Sequence, residues 1–221
     1  MLEELGVAID LGPGAVVNTL TETGMGFCLA PRFHPGLHHV RPIRRELGIG
    51  TVFNFLGPLA NPARVRRQVI GVSDPSVSEL MLGVLESQGA LRAMVVFGHD
   101  GLDEITTTGR STVRELHNGE IRSYEIDPTS FGIKLSDAAS LKGGNPVQNA
   151  DRVRCVLGGE PSAQADIVKL NAAAGLLIGE AVATFSEGVD LASAILKDGR
   201  AAAVLEQLIS VSRRESETPE S

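Results

Sequence analysis

The chain has 221 residues, of which 43% are apolar and 21% charged, with a net charge of −7. A chain of this length buries roughly 70% of its extended surface, so its composition excludes disorder. The acidic balance argues against general nucleic-acid binding, and seven Phe, one Tyr and no Trp leave little for a base-stacking platform. Cys28 and Cys155 are the only cysteines. Both lie among apolar neighbours, which predicts reduced, buried thiols in a cytoplasmic protein, and two isolated cysteines cannot build a zinc site by themselves. Met1–Leu5 has no basic or apolar signal-like region. Leu170–Ala183, cut by Asn171 and Glu180, is too short and polar to span a bilayer.

In chain order, Met1–Gly6 reads as the last turn of a helix with Gly6 at its stop. Pro13–Thr23 is predicted helical, with Val16, Val17 and Leu20 on one face. Gly26–Ala30 is a short apolar run suited to a buried strand that Pro31 ends. Pro35–Leu47 reads as a helix closed by Gly48, and Thr51–Pro62 as a rigid loop broken by Gly-Pro and Asn-Pro. Val69–Val72 and Ala93–Phe97 are predicted strands on either side of a helix over Val77–Leu85. This alternation predicts an α/β domain with a mixed, largely parallel sheet flanked by helices.

From Ser111 the pattern changes. Ser111–Leu116 and Ile121–Ile126 flank Asn118-Gly119, a hairpin signal. Gly143-Gly144-Asn145-Pro146 reads as a turn before a helix over Val147–Leu157. Ile167, Leu170, Ala174, Leu177, Ile178 and Ala181 recur at helical spacing. A last helix is predicted over Ala202–Ser210, and Ser212–Ser221 reads as a frayed polar tail.

Two segments could carry chemistry. Gly98-His99-Asp100-Gly101-Leu102-Asp103-Glu104 follows an apolar strand, and ligands of open α/β sheets gather outside the carboxyl ends of strands. Adjacent carboxylates there suit a hard cation such as Mg²⁺; the plainer alternative is a solvated acidic turn. Thr106–Thr112 offers hydroxyls, a glycine and Arg110, either as an anion cup or, more simply, as a kinked polar strand. The second segment is a basic island holding Arg32, His34, His38, His39, Arg41, Arg44 and Arg45, with no acid until Glu46. Leu37, Arg41, Arg44 and Gly48 share a helical face, from which an arginine fork could grip a carboxylate; an exposed basic face is the simpler alternative. No Ser-His-Asp arrangement, Gly-x-Gly-x-x-Gly or Walker loop is legible.

The ordered text is more specific than its pieces. Ala30-Pro31-Arg32-Phe33-His34-Pro35, Arg44-Arg45-Glu46-Leu47-Gly48, Thr51-Val52-Phe53-Asn54-Phe55-Leu56-Gly57-Pro58-Leu59-Ala60-Asn61-Pro62-Ala63 and Gly101-Leu102-Asp103-Glu104 closely resemble the anthranilate phosphoribosyltransferase family of tryptophan biosynthesis. The resemblance runs from the first residues to about Ser212. It implies a large α/β domain of the nucleoside phosphorylase/phosphoribosyltransferase type over residues 1–212, a missing small helical domain and a polar tail over 213–221. It also implies a Mg²⁺-dependent glycosyltransferase reaction, in which the anthranilate nitrogen attacks C1 of phosphoribosyl pyrophosphate and pyrophosphate leaves. Asp103 and Glu104 fall on the family's metal-binding pair, Arg44 on its grip for the anthranilate carboxylate, and Ala30 and Pro31 on the wall of its aromatic channel. Leu37 occupies a position that is aromatic in some relatives.

The family's Gly-Thr-Gly-Gly-Asp pyrophosphate loop, its Lys-His-Gly segment and most of its helical small domain are not found in this sequence. The expectation is therefore an incomplete chain, without transferase activity of its own and without the family's usual homodimer surface. The alternatives are a nucleoside phosphorylase of the same fold, a nucleic-acid-binding relative without transferase activity, and a non-catalytic remnant. The basic island beside an apolar channel favours an acidic aromatic substrate over the first, and the overall acidity argues against the second.

Overall fold

The computed structural model describes residues 1–34, 36, 46 and 57–217. In chain order its elements are α1 (Leu2–Leu5), α2 (Pro13–Thr23), α3 (Ala30–Phe33), β1 (Arg67–Gly71), α4 (Ser78–Ser87), β2 (Arg92–Gly98), β3 (Ser111–His117), β4 (Glu120–Ile126), α5 (Ala138–Leu141), α6 (Pro146–Leu157), α7 (Ala163–Ile178), α8 (Phe185–Lys197) and α9 (Arg200–Glu217). The chain divides into two compact units that interleave in sequence. The first comprises Met1–Pro62, Gly143–Gly158 and Gly199–Ser221; the second comprises Ala63–Lys142 and Gly159–Asp198.

The second unit is α/β, with a mixed sheet in the order β1-β2-β3-β4. β1 and β2 are parallel, Arg67 lying opposite Arg92 and Gly71 opposite Val96, because α4 carries the chain back between them. The expected predominance of parallel pairing is not seen among the described strands: β3 runs antiparallel to β2, and β4 to β3. The reason is local. No helix separates β2 from β3, and Asn118 and Gly119 both adopt positive φ, 53° and 76°, the backbone of a tight hairpin turn.

Helices cover both faces of this sheet. Met94, Val96 and Val113 pack with Leu170, Ala173, Ala174 and Leu177 of α7. On the opposite face Ala93 and Val95 are buried, and Arg114 pairs with Glu79 of α4 at 2.8 Å. Burial from both sides explains why β2 is almost uninterruptedly apolar. α8 lies close on α7, since a Cβ on Gly188 would stand 3.0 Å from the Ala173 backbone.

The first unit is helical among its described residues. Gly6 ends α1 in the left-handed region at φ 100°, as its sequence predicts. Leu5 and Val7 pack with Ala150, Leu205 and Leu208. Pro146 opens α6 behind a capping box between Asn145 and Gln148. α9 runs to Glu217, well into the residues that composition reads as a frayed tail. Arg213 Nε donates to Gly6 O at 2.8 Å, and Asn18 Nδ2 donates to Glu215 at 2.7 Å.

Three further expectations are corrected here. The buried face of α2 is Val16, Thr19 and Thr23, whereas Val17 and Leu20 are 60% and 48% exposed. The threonines bury because their hydroxyls donate to Ala15 O and Thr19 O one helical turn back. Gly26–Leu29 forms no strand, since the sheet is drawn from residues 67–126 of the other unit and an extended run needs a partner. Pro31 consequently starts α3 rather than ending a strand. Cys28 is only partly buried and Cys155 is exposed, because its position on α6 faces away from the Ala150 and Val156 side. The predicted helix Pro35–Leu47 lies outside the described residues except for Gly36 and Glu46, as do Thr51–Leu56 of the predicted loop; residues 57–59 are helical.

One polar cluster is held inside the second unit. Arg92 donates to Glu115 at 2.7 Å through Nε, and to Leu177 O, at the end of α7, at 2.9 Å through a terminal nitrogen. The Tyr124 hydroxyl donates to the other Glu115 oxygen at 2.9 Å. The Arg92 and Glu115 side chains are only 12% and 11% exposed. Burial, reinforced by the Glu115 charge, pushes the Tyr124 hydroxyl well above its ordinary pKa. Glu115→Ala should cost about 3–5 kcal/mol, because Arg92 would stay buried without its counter-charge. The fall in the urea unfolding midpoint measures it; a loss below about 1 kcal/mol would be that of a solvated pair instead.

Candidate functional site

Two adjacent parallel strands, β1 and β2, end at Gly71 and Gly98. The chain then folds residues 99–110 back over these strand ends. Gly98 N donates to Leu102 O at 2.9 Å and Gly101 N to Gly98 O at 2.8 Å. Gly101 sits at φ 91°, a backbone that favours glycine. The result is a tight acidic turn at the position where open α/β sheets collect ligands.

Gly71 is sterically required, and Gly98 leaves little room for a side chain. A Cβ on Gly71 would lie 1.6 Å from the Asp103 carbonyl oxygen and 2.6 Å from its carbonyl carbon. A Cβ on Gly98 would meet Asp100 Oδ1 at 2.5 Å and Glu104 O at 3.2 Å. The absence of two side chains therefore seats the turn on the sheet edge.

Polar contacts finish the turn. Asp100 Oδ1 accepts from Leu102 N at 3.2 Å. Asp100 Oδ2 accepts from the Thr106 hydroxyl at 2.7 Å and from the Thr108 hydroxyl. Ser111 Oγ accepts from Thr106 N at 2.9 Å. Burial pushes the Asp100 pKa up, but the hydrogen bonds from Thr108, Thr106 and Leu102 outweigh it and leave it below the ordinary 3.8. The segment from Thr106 has part of its polar capacity taken up inside the protein, while the buried Thr107 hydroxyl has no hydrogen-bond partner among the described residues. Two of its hydroxyls are committed to a carboxylate, and Arg110 pairs with Glu125 at 3.1 Å and with Asp127 at 3.4 Å.

Asp103 and Glu104 stand exposed on this turn. Neither carboxylate has a hydrogen-bond or ion-pair partner among the described residues, and immediately beyond them Ile105 is fully buried. Protein packed around the Glu104 carboxyl, together with the Asp103 charge beside it, holds the Glu104 pKa above 4.5. A pair of adjacent, uncompensated acids suits a divalent cation with hard-oxygen preference. Among the described residues no group of three or more His, Cys, Asp or Glu is arranged to hold a metal, so a cation here would complete its shell with water or ligand oxygens.

The other sequence-predicted residues belong to the first unit. Ala30 and Pro31 form the exposed first turn of α3. Arg32 of the basic island lies 3.5 Å from Asp10. Arg44 and Leu37 lie outside the described residues, as do His38, His39, Arg41 and Arg45. The sequence reading passes over Gly71, Asp100 as an anchor, and Asn171, whose amide bonds to Ile105. Gly71, closing a strand between Ile70 and Val72, carried a usable signal, since a glycine there marks close backbone approach.

Two outcomes follow from this geometry. Gly71→Ala should destabilise the second unit by at least about 1–3 kcal/mol, as in an overpacked core, and should shift the amide resonances of Asp103 and Glu104; unchanged resonances would place the turn off the strand end. The depressed Asp100 pKa makes its contribution to stability full above 3.8 and lost as pH falls through the lower folded value. The destabilisation caused by Asp100→Asn should therefore be clear near about pH 6 and shrink below about pH 3. Urea midpoints of both proteins across that range check it, and a pH-independent gap would contradict it.

The glycosyl transferase family, a/b domain, matches residues 1–202. Anthranilate phosphoribosyltransferase from Acetivibrio thermocellus is 44% identical over 209 residues, which cover 95% of this chain and 61% of that protein. Among solved structures, anthranilate phosphoribosyltransferase from Thermus thermophilus superposes with a TM-score of 0.89 at 40% identity, covering 96% of this chain and 63% of that one. The Saccharomyces cerevisiae enzyme in complex with phosphoribosyl pyrophosphate and Mg gives 0.87 at 26% identity, covering 96% and 62%. The chain thus spans a little over 60% of the length of these relatives. Among the described residues no helix is long and apolar enough to cross a membrane. With an α/β fold, an acidic turn seated on glycine strand ends and a family match across most of its length, the chain belongs to the glycosyl transferase family as its a/b domain.

Proposed function

We propose that this chain is part of an anthranilate phosphoribosyltransferase and acts in tryptophan biosynthesis in the cytoplasm. The observation that carries this reading is the pair Asp103 and Glu104 at the carboxyl ends of β1 and β2, without a partner among the described residues. The names of the relatives supply the substrates: phosphoribosyl pyrophosphate and anthranilate. Cys28 and Cys155, one half-exposed and one exposed and neither in a disulfide, agree with a reducing compartment.

In this reading Asp103 and Glu104 hold Mg²⁺, which fits their adjacency and their lack of a competing cation among the described residues. When bound, Mg²⁺ supplies charge neutralisation for the pyrophosphate group. The two carboxylates then serve as outer anchors, leaving most of the ion's shell to water and phosphate oxygens. Arg44 grips the anthranilate carboxylate through its planar fork, and Ala30 and Pro31 form the wall beside the aromatic ring. The N–C1 bond forms as the C1–O bond to pyrophosphate breaks, and the amine proton is released. An aromatic amine presents a lone pair without prior deprotonation, so positioning contributes more than a general base.

The test joins this chain to the part of the Acetivibrio thermocellus relative that the match leaves uncovered. Consumption of anthranilate fluorescence is then followed with phosphoribosyl pyrophosphate and Mg²⁺. The joined protein should turn over, and Asp103→Asn with Glu104→Gln should lower kcat by about 10²-fold or more, the scale of losing a well-placed electrostatic contact. Arg44→Ala should chiefly raise the KM for anthranilate, since its contact exists in both ground and transition states. Full turnover in the double variant would overturn the metal assignment, and an unchanged KM would overturn the role of Arg44.

A further inference from the structure

The acidic turn is tied to the rest of its unit by one side chain that lies far away in sequence. Asn171, in the middle of α7, accepts a hydrogen bond from Ile105 N through Oδ1 at 2.9 Å. Its Nδ2 donates to Ile105 O at 2.9 Å and to Ile167 O at 2.9 Å. Every hydrogen on the amide nitrogen is used. The orientation is unambiguous, because a flipped amide would oppose donor to donor at Ile105 N and acceptor to acceptor at Ile105 O.

The consequence falls on Glu104. Bonding both the N–H and the C=O of Ile105 fixes the peptide planes on either side of that residue. The plane shared by Glu104 and Ile105 is one of them, and it contains the Glu104 Cα, so the point from which the Glu104 side chain leaves the backbone is fixed too. Burial of the Ile105 side chain sets the depth of the turn but not the tilt of its peptides. The missing Cβ of Gly71 lets the Asp103 carbonyl lie close against the strand end.

Simple packing does not account for an asparagine here. The position is partly buried, next to the fully buried Leu170 and close to Ala173 and Ala174 of α7, and an apolar side chain there would leave both Ile105 backbone groups without this partner. Asparagine is a poorer helix former than leucine, and a buried amide is tolerated only when its hydrogen bonds are made.

We infer that Asn171 is a positioning residue for the acid pair: by closing both backbone polar groups of Ile105, it holds Asp103 and Glu104 in the arrangement that receives a divalent cation with its pyrophosphate. This rests on the reading of Asp103 and Glu104 as the cation site.

The test uses the full chain, with Asn171→Leu as a variant of the same side-chain branching and Asn171→Ala as a second in case leucine impairs folding. The first readout is amide hydrogen exchange. Exchange at Ile105 should accelerate by roughly tenfold to a hundredfold, the scale of losing two net hydrogen bonds, while Val113–Glu115 in β3 keep their rates. The second readout is Mn²⁺ binding in the presence of inorganic pyrophosphate, followed by the electron paramagnetic resonance of free Mn²⁺. Affinity should fall by about tenfold or more in the Asn171 variants, the scale expected for outer-shell partners of a metal site. Unchanged exchange at Ile105, or an equal rise throughout the sheet, overturns the clamp. Faster exchange with unchanged Mn²⁺–pyrophosphate affinity reduces Asn171 to a structural pin and overturns the positioning role. If Mn²⁺–pyrophosphate binding is insensitive to Asp103→Asn with Glu104→Gln, or absent from the unsubstituted chain, the cation reading fails and the positioning role with it, while the exchange data still decide whether the clamp exists.

Discussion

The acidic turn depends on a close approach that only glycine permits. The Asp103 carbonyl sits where a Cβ on Gly71 would be, 1.6 Å away. A second glycine, Gly98, leaves room for the Asp100 carboxylate and the Glu104 carbonyl. Without the omission at Gly71 the turn could not lie against the end of β1. Asp103 and Glu104 would then stand away from the sheet edge, where a parallel pair of strands and their connections form a crevice.

Placing two carboxylates side by side is unfavourable by itself. The Glu104 pKa is raised by the protein packed around it first, and the Asp103 charge adds to the rise. The turn is held against that cost by groups that have no charge to offer a ligand. Ile105 inserts into the core beside Leu170 and Ala174, the Thr106 and Thr108 hydroxyls bind Asp100, and Asn171 bonds Ile105. The acid pair is left without partners among the described residues, while Asp100 and Ile105 are hydrogen-bonded. This is the reverse of the Arg92–Glu115–Tyr124 cluster, where the charges neutralise one another inside the unit.

Much of this was legible in the residues. The apolar runs around Val69–Val72 and Ala93–Phe97 marked two strands within a residue or two, and Asn118-Gly119 marked the hairpin, because turn chemistry and apolar continuity are local signals. The acid pair was legible by the same logic, as neighbouring carboxylates just past a buried strand. Pairing direction was not: whether β3 runs with or against β2 depends on a loop of irregular turns with no sequence period. Gly26–Leu29 misled because an apolar run specifies burial, not a strand partner. Cys155 misled because its apolar neighbours occupy the other side of α6. Asn171 was visible only as an interruption in an apolar helix, since its partner lies 66 residues away.

The most direct test of the account is crystallographic. Crystals of the chain grown or soaked with Mn²⁺ and inorganic pyrophosphate would be measured at the Mn absorption edge. The account predicts an anomalous peak beside the acidic turn, bridged to Asp103 and Glu104 directly or through one water, with pyrophosphate oxygens completing its shell. An anomalous peak elsewhere, or none at this turn under conditions where pyrophosphate is bound, would contradict it.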